Sequence, residues 1–359
     1  MVLEHPVKPD HEAFLACLRR EGTPQRVHLA ELFLDPEMKQ AVVERFGLDK
    51  GLDRNDPQFA RRLEIRIQRH LGYDYVTTAI DNFQWALTEA TVPDTVEDQQ
   101  RRQGGRAWME EHRGPIASWE DFENYPWPDP ADFRTDAIEW YSRNLPDDMC
   151  LVAGSHSVFE LTTWTMGYET LCHALFEQPD LVDAVFSRVG SIFHEGIKLL
   201  CQFDRVAVLF GGDDMGFKTG TMIHPQTLIE KSFPWHRKNA RVAHEHGKPY
   251  ILHSCGDLSA VMEALIGDVG IDGKHSFEDV IESVIEAKRN YGDRIALLGG
   301  IDVDLLTRKS ERDVRRRVRE VLDVCQGGGG YFLGTGNTAC NYIPLENFLA
   351  MIDEGRRWG

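Results

Sequence analysis

Apolar and β-branched residues along this chain gather into short runs, separated by stretches whose apolar positions recur three and four apart. Eight runs read as strands: 26–32, 73–80, 150–156, 205–213, 249–256, 269–276, 295–302 and 329–337. The helical stretches between them include 179–203, 225–246, 278–291 and 311–326. Pro225 suits a first-turn position, and the glycines at 327–330 provide a C-terminal stop. Strand and helix alternating eight times predict an α/β fold, a closed (β/α)8 TIM barrel, over an open doubly wound sheet. A helical extension precedes the first strand, and the whole chain, 1–359, reads as one barrel domain. Because a strand and not a helix follows the run of four glycines, it is expected to form a turn and not a phosphate cradle.

Residues 91–148 break this rhythm and form a long excursion between strands two and three. TVPDTVEDQQRRQGGRAW is polar, and SWEDFENYPWPDPADF is rich in Trp and Pro. Such an insertion either packs across the barrel as a structural element or caps the site.

Composition narrows the setting. An apolar content of 42% over 359 residues supplies a large core. No apolar run approaches the length of a membrane span, and MVLEHPVKPDHEAF is charged and proline-broken, unlike a signal peptide. A cytoplasmic protein is expected. The seven cysteines are odd in number and scattered, which does not read as a disulfide framework. A net charge of −18 argues against nucleic acid and anionic membranes as partners.

In a (β/α)8 barrel the chemistry sits at the C-terminal ends of the strands. The polar residues there are Glu31, Asp81, His156, Asp213, Asp214, His253, Cys255, His275 and Asp302, with Cys340 just past the last strand. ILHSCG is the sharpest element, because residues two apart on a strand face the same side. His253 and Cys255 thus present an imidazole and a thiol together, and Cys340 from GTGNTACNY completes a set suited to zinc. Three protein ligands leave a position open for substrate, as catalytic zinc sites do. In HSFED, Glu278 is a candidate fourth ligand and His275 a candidate for positioning substrate. The competing view places Glu278 and Asp279 in a helix N-terminal turn, favoured by the dipole. His244 and His246, in AHEHGK at a helix end, read as solvated surface histidines.

These segments resemble the uroporphyrinogen decarboxylase superfamily, and within it the corrinoid-dependent methyltransferase branch. The resemblance runs from TPQRVHLAEL to ENFLAMIDEG, through GYDYVTTAID, GDDMGFKTG, ILHSCGDL, HSFEDVI, ALLGGIDVDLL and GGYFLGTGN. It implies a (β/α)8 barrel with its pocket at the C-terminal mouth, and zinc on His253, Cys255 and Cys340. Cobalamin-independent methionine synthases are similar in their catalytic half, and their additional Glu ligand falls on Glu278. The decarboxylase itself anchors a porphyrinogen through an N-terminal arginine motif; here HLAELFLDPE stands in its place, although Asp81 occupies a comparable position after strand two. The resemblance therefore implies an O-demethylase-type methyltransferase, with methylcorrinoid:thiol transfer and uroporphyrinogen decarboxylation as alternatives. A separate protein would carry the corrinoid, since no Asp-x-His-x-x-Gly signature occurs in the chain. In this reading Glu278, Asp214 and His275 are catalytic, and Asp81, His156 and Asp213 contact substrate. Asp213 or Asp214 is alternatively a partner that orients His253.

Overall fold

In the computed structural model, which describes residues 3–92, 106–109 and 112–359, eight strands form one parallel sheet. They are β1 (His28–Leu29), β2 (Tyr75–Thr78), β3 (Cys150–His156), β4 (Val206–Gly212), β5 (Tyr250–His253), β6 (Gly273–His275), β7 (Ala296–Leu298) and β8 (Tyr331–Leu333). Each pairs with its neighbour in chain order from β2 to β8, and β8 pairs with β1. This is the TIM-barrel-like order expected from the alternation of elements. Among the described residues no ladder joins β1 to β2. The Tyr75 hydroxyl bridges that seam, accepting from the Glu31 amide at 3.0 Å and donating to the Glu31 carbonyl at 3.3 Å.

The helices bury one stripe against the sheet. Pro179–Cys201 is the clearest case: Leu181, Val182, Val185, Phe186 and Val189 are buried at helical spacing. Three expectations change. The stretch 225–246 is two helices, Pro225–Lys231 and Phe233–Glu245. Pro234 has no amide hydrogen for a continuous helix, so a new one starts at Ser232. The stretch 278–291 is helical only over Val284–Tyr291, where Ser283 and Glu286 form a capping box. Glu278 and Asp279 consequently lie in a turn and not at a helix N-terminus. Val269, expected to open strand six, instead ends a helical turn over Leu265–Val269 that is closed by Gly270 in the left-handed region. The glycines at 327–330 are a turn, as expected.

Part of the excursion, 93–105 and 110–111, lies outside the described residues. Around it, Glu89–Val92 pairs antiparallel with Arg106–Met109, and helices follow at Trp119–Asn124 and Asp136–Asn144. No described residue of 112–148 lines the central cavity. The described part therefore packs on the barrel flank, with Phe133 reaching Gly196 of the long helix. No helix among the described residues is long and apolar enough to cross a membrane.

The barrel lumen is not filled by side chains, as it is in most (β/α)8 barrels. Small residues at lining positions, Ala30, Gly154 and Gly212, leave a cavity of about 1270 Å³. At Gly154 the close approach is obligatory: a Cβ there would stand 1.7 Å from the backbone oxygen of Phe210 on the paired strand. Gly154→Ala should force β3 from β4 and cost about 3 kcal/mol or more. Thermal unfolding checks this, and an unchanged melting temperature would contradict the register.

Candidate functional site

The site is built by register. His156 pairs with Gly212, Gly212 with His253, and His253 with His275, so the ends of four adjacent strands reach one level. Register partners on parallel strands point to the same face. The His253 and His275 rings accordingly sit side by side, with centroids 4.9 Å apart and their Nδ1 atoms at 2.7 Å. Only one of those nitrogens can carry the proton between them. Burial, followed by the charges of His253 and Lys274, holds the His275 pKa well below the usual histidine value. A neutral His275 can accept from the His253 Nδ1–H, which turns the His253 Nε2 edge toward Cys255 and Asp214.

Two residues further on, Cys255 falls on the same side as His253, its Sγ 3.6 Å from Nε2. Asp214 follows β4; its Oδ1 accepts from the Cys255 amide at 2.8 Å and lies 3.3 Å from His253 Nε2. Burial pushes the Asp214 carboxyl up, but His253 and the Cys255 amide outweigh it and bring it down to about 2. Burial, reinforced by the Asp214 charge, drives the Cys255 thiol the other way, up. The donor atoms of Asp214, His253 and Cys255 all lie within 4.8 Å of one another, a group able to hold a metal ion. The Asn337 amide donates to Cys255 Sγ at 3.2 Å.

Cys340 is not in this group. It lines the same cavity, but its thiol donates to the Thr338 carbonyl at 3.3 Å within its own loop. Asn337 reaches Cys255 from that segment instead. Asp213, expected at the substrate, is fully buried and faces the helix layer. Consecutive residues face opposite ways, so as Asp214 turns into the barrel Asp213 turns out. Its carboxylate accepts from the amides of Phe159 and Glu160 and from Ser232, and it pairs with His236 at 2.6 Å. Asp81 is also absent from the cavity wall, because its side chain accepts from the Ala137 amide at the start of a flanking helix. His156 ends β3, and its side chain lies outside the described residues. Glu278 lines the cavity, and its side chain has no hydrogen-bond partner among the described residues. Burial and the nearby Asp302 raise its pKa. Asp302 caps the helix Val303–Arg308 and also accepts from the Asp279 amide at 3.0 Å. His244 is half-exposed beside Asp272, as a surface histidine should be.

Two residues given no role in the sequence reading belong to this neighbourhood. Lys274, on the opposite face of β6 from His275, donates to the carbonyls of Ser276 at 2.7 Å and Ser254 at 3.4 Å. Burial lowers its pKa to about 8. A lysine inside a predicted strand was the only sequence signal for it. Glu31, at the end of β1, is buried on the cavity wall and accepts from the Thr335 amide at 2.9 Å and hydroxyl at 2.5 Å. Burial outweighs those bonds and raises its carboxyl to about 8.

The family model described as Uroporphyrinogen decarboxylase (URO-D) matches residues 106–358, more than half of the chain. The chain belongs to the uroporphyrinogen decarboxylase family. Relatives of this family member divide between two activities. It is 25% identical over 280 residues to a uroporphyrinogen decarboxylase of Alkalilimnicola ehrlichii, covering 73% of this chain and 72% of that one. It is 33% identical over 135 residues to a methylated-thiol–coenzyme M methyltransferase of Methanosarcina mazei, covering 37% of this chain and 34% of that one. The solved structure of a methyltransferase from Methanosarcina mazei superposes with a TM-score of 0.72 at 15% identity, covering 98% of this chain and 99% of the other. That likeness shows a shared barrel fold.

The Glu31 environment gives a signed pH test. With a carboxyl near 8 in the fold and near 4.5 in the open chain, the folded state holds an extra proton between those values. Its stability contribution is therefore complete below about pH 4.5 and is lost as pH rises through 8. Glu31→Gln cannot titrate. Its melting temperature should match the wild type or fall slightly below it at pH 5, and exceed it at pH 8.5. Parallel pH profiles for the two proteins would contradict the buried neutral carboxyl.

Proposed function

We propose that this family member is a zinc-dependent methyltransferase of the O-demethylase type. It moves a methyl group between a small methoxylated substrate and the cobalt of a corrinoid carried by a separate protein. The observation that carries this reading is the Asp214, His253 and Cys255 donor group opening onto a large cavity. Oxygen, nitrogen and sulfur donors of this kind suit zinc. Those three residues would hold the ion, with Cys340 on the same cavity wall as a further thiolate ligand. Zinc bound there supplies Lewis acidity, which eases departure of an ether oxygen.

The protein's own residues do the rest. His275 fixes the His253 tautomer, and Lys274 holds the backbone on either side of the site from behind. Glu278 lines the cavity as a carboxyl able to hold or deliver a proton to the departing oxygen. In the reaction the C–O bond breaks with its electron pair retained by oxygen, which then takes a proton. The methyl carbon accepts a new electron pair from the reduced corrinoid.

Charge favours this reading over decarboxylation. A porphyrinogen with several carboxylates calls for cationic partners, whereas among the described residues eight carboxyl side chains and only two lysines line this cavity. Asp81, the decarboxylase-like position, is turned away into a flanking helix. The 33% identity to a methyltransferase over 135 residues supports the same choice.

The purified protein should contain about one zinc per chain. Cys255→Ser should lose most of it while the barrel stays folded, and transfer from a methoxyarene to reduced cobalamin should fall by about 10²-fold or more. Separate zinc measurements on Asp214→Asn and Cys340→Ser identify the remaining ligand. Uroporphyrinogen should not be decarboxylated. Full zinc occupancy in Cys255→Ser, or coproporphyrinogen formation, would overturn the reading.

A further inference from the structure

Glu31 follows β1 and His275 ends β6, with β7 and β8 between them in the barrel, yet one residue connects the two. The β1–β8 ladder runs through His28–Phe332 and Leu29–Leu333. Beyond it the Glu31 carboxyl takes the place of a partner strand, accepting from the Thr335 amide at 2.9 Å and its hydroxyl at 2.5 Å. Tyr75 holds both backbone groups of Glu31 in turn. On its other side the fully buried Thr335 bridges in parallel to Ile301, and its carbonyl accepts from the Gly300 amide at 3.2 Å. A carbonyl oxygen has two lone pairs, so a second acceptor position remains on Thr335.

That oxygen adjoins the His275 ring. A Cβ at Gly299 would stand 2.4 Å from the Thr335 oxygen and 3.1 Å from His275 Nε2, so the glycine leaves no side chain between them. His275 Nε2 is buried and makes no hydrogen bond of standard geometry with any described residue. Burial lowers the His275 pKa, and the Thr335 carbonyl acts against it, as an acceptor beside an imidazole N–H does.

The neutral His253–His275 pair has two arrangements of its protons. In one, His275 donates from Nδ1 and His253 carries its hydrogen on Nε2, toward Asp214 Oδ1 at 3.3 Å. His253 then has no lone pair for a metal, and His275 Nε2 turns its own lone pair on the Thr335 oxygen, which is repulsive. In the other, His275 keeps its hydrogen on Nε2 against Thr335, and His253 donates from Nδ1. Asp214 favours the first arrangement and Thr335 the second. We propose that Glu31 is a positioning residue for the donor group: it fixes the Thr335 carbonyl, which holds the His275 proton on Nε2 and thereby frees His253 Nε2 for the metal. This rests on the metal-holding reading of Asp214, His253 and Cys255, and is independent of which methyl donor is used.

Two measurements on the full-length protein test this. One is the tautomer of His275 in the metal-free state, read by nitrogen-15 NMR of histidine-labelled protein and assigned by loss of the signal in His275→Gln. The other is zinc affinity, read by competition with a chromophoric chelator. Metal-free wild type should carry the Nε2–H tautomer at His275. In Glu31→Leu that signal should shift toward Nδ1–H, and zinc should bind about ten-fold more weakly or worse, the scale seen when a group behind a metal ligand is lost. Glu31→Gln offers a carbonyl and an amide to the same two Thr335 groups, so it should keep the wild-type tautomer and bind zinc within about three-fold. Thr335→Val keeps only the amide bond and should fall between them. If Glu31 is merely structural, Glu31→Leu lowers the melting temperature but moves neither tautomer nor zinc affinity, which overturns the proposal. Should Glu31→Leu fail to fold, Thr335→Val and the wild-type tautomer decide, and Nδ1–H at His275 in wild type overturns it. Failure of wild type to bind zinc sinks the metal reading instead, while the histidine spectra still judge the link from Glu31 to His275.

Discussion

The in-register pairing of β4, β5 and β6 is the constraint on which this site depends. Parallel strands joined by evenly spaced hydrogen bonds place equivalent positions side by side at one height. With His253 opposite His275 and next to Gly212, the two imidazoles are forced into contact, and the glycine leaves the space they face open. A shift of one residue in either pairing would send His253 or His275 into the helix layer. Everything else about the donor group, from the Cys255 thiol to the Asp214 carboxylate, hangs from the loops that leave these strand ends.

The polar groups behind the strands hold that arrangement in place. Asp213 joins the start of one helix, Ser232 and His236 into a single buried network, fixing the residue that precedes Asp214. Leaving one member of a buried hydrogen-bond network unsatisfied costs about 1–3 kcal/mol, so the loop after β4 has little freedom. Lys274 does the same for the loops after β5 and β6 from the outer face of the sheet. On the far side of the barrel, Tyr75 and Glu31 close the seam between β1 and β2 and tie β1 to Thr335 beyond β8. The reactive wall is thus open to the cavity but backed by groups whose hydrogen bonds are internal.

Openness of the lumen is the second condition for function. Gly154, Gly212 and Ala30 exchange core volume for a chamber, and the helix layer makes up the lost burial with long apolar stripes such as that of Pro179–Cys201. The result is a pocket with an apolar depth, a soft-donor ledge and an acidic rim.

The sequence by itself determined the alternation of strands and helices, the strand-end location of the polar residues and the pairing of His253 with Cys255. These are local matters: periods of 2 and 3.6 residues and a two-residue spacing on one strand. Tertiary structure decided what lies between distant segments. Strand register set His275 against His253, and alternation at the end of β4, anchored by His236, chose Asp214 over Asp213 for the cavity. The path of the last loop turned Cys340 to Thr338 and brought Asn337 to Cys255. Asp81 was drawn off by a helix start that no spacing announced. Each of these depends on packing between residues far apart in the chain, which hydrophobic periodicity does not encode.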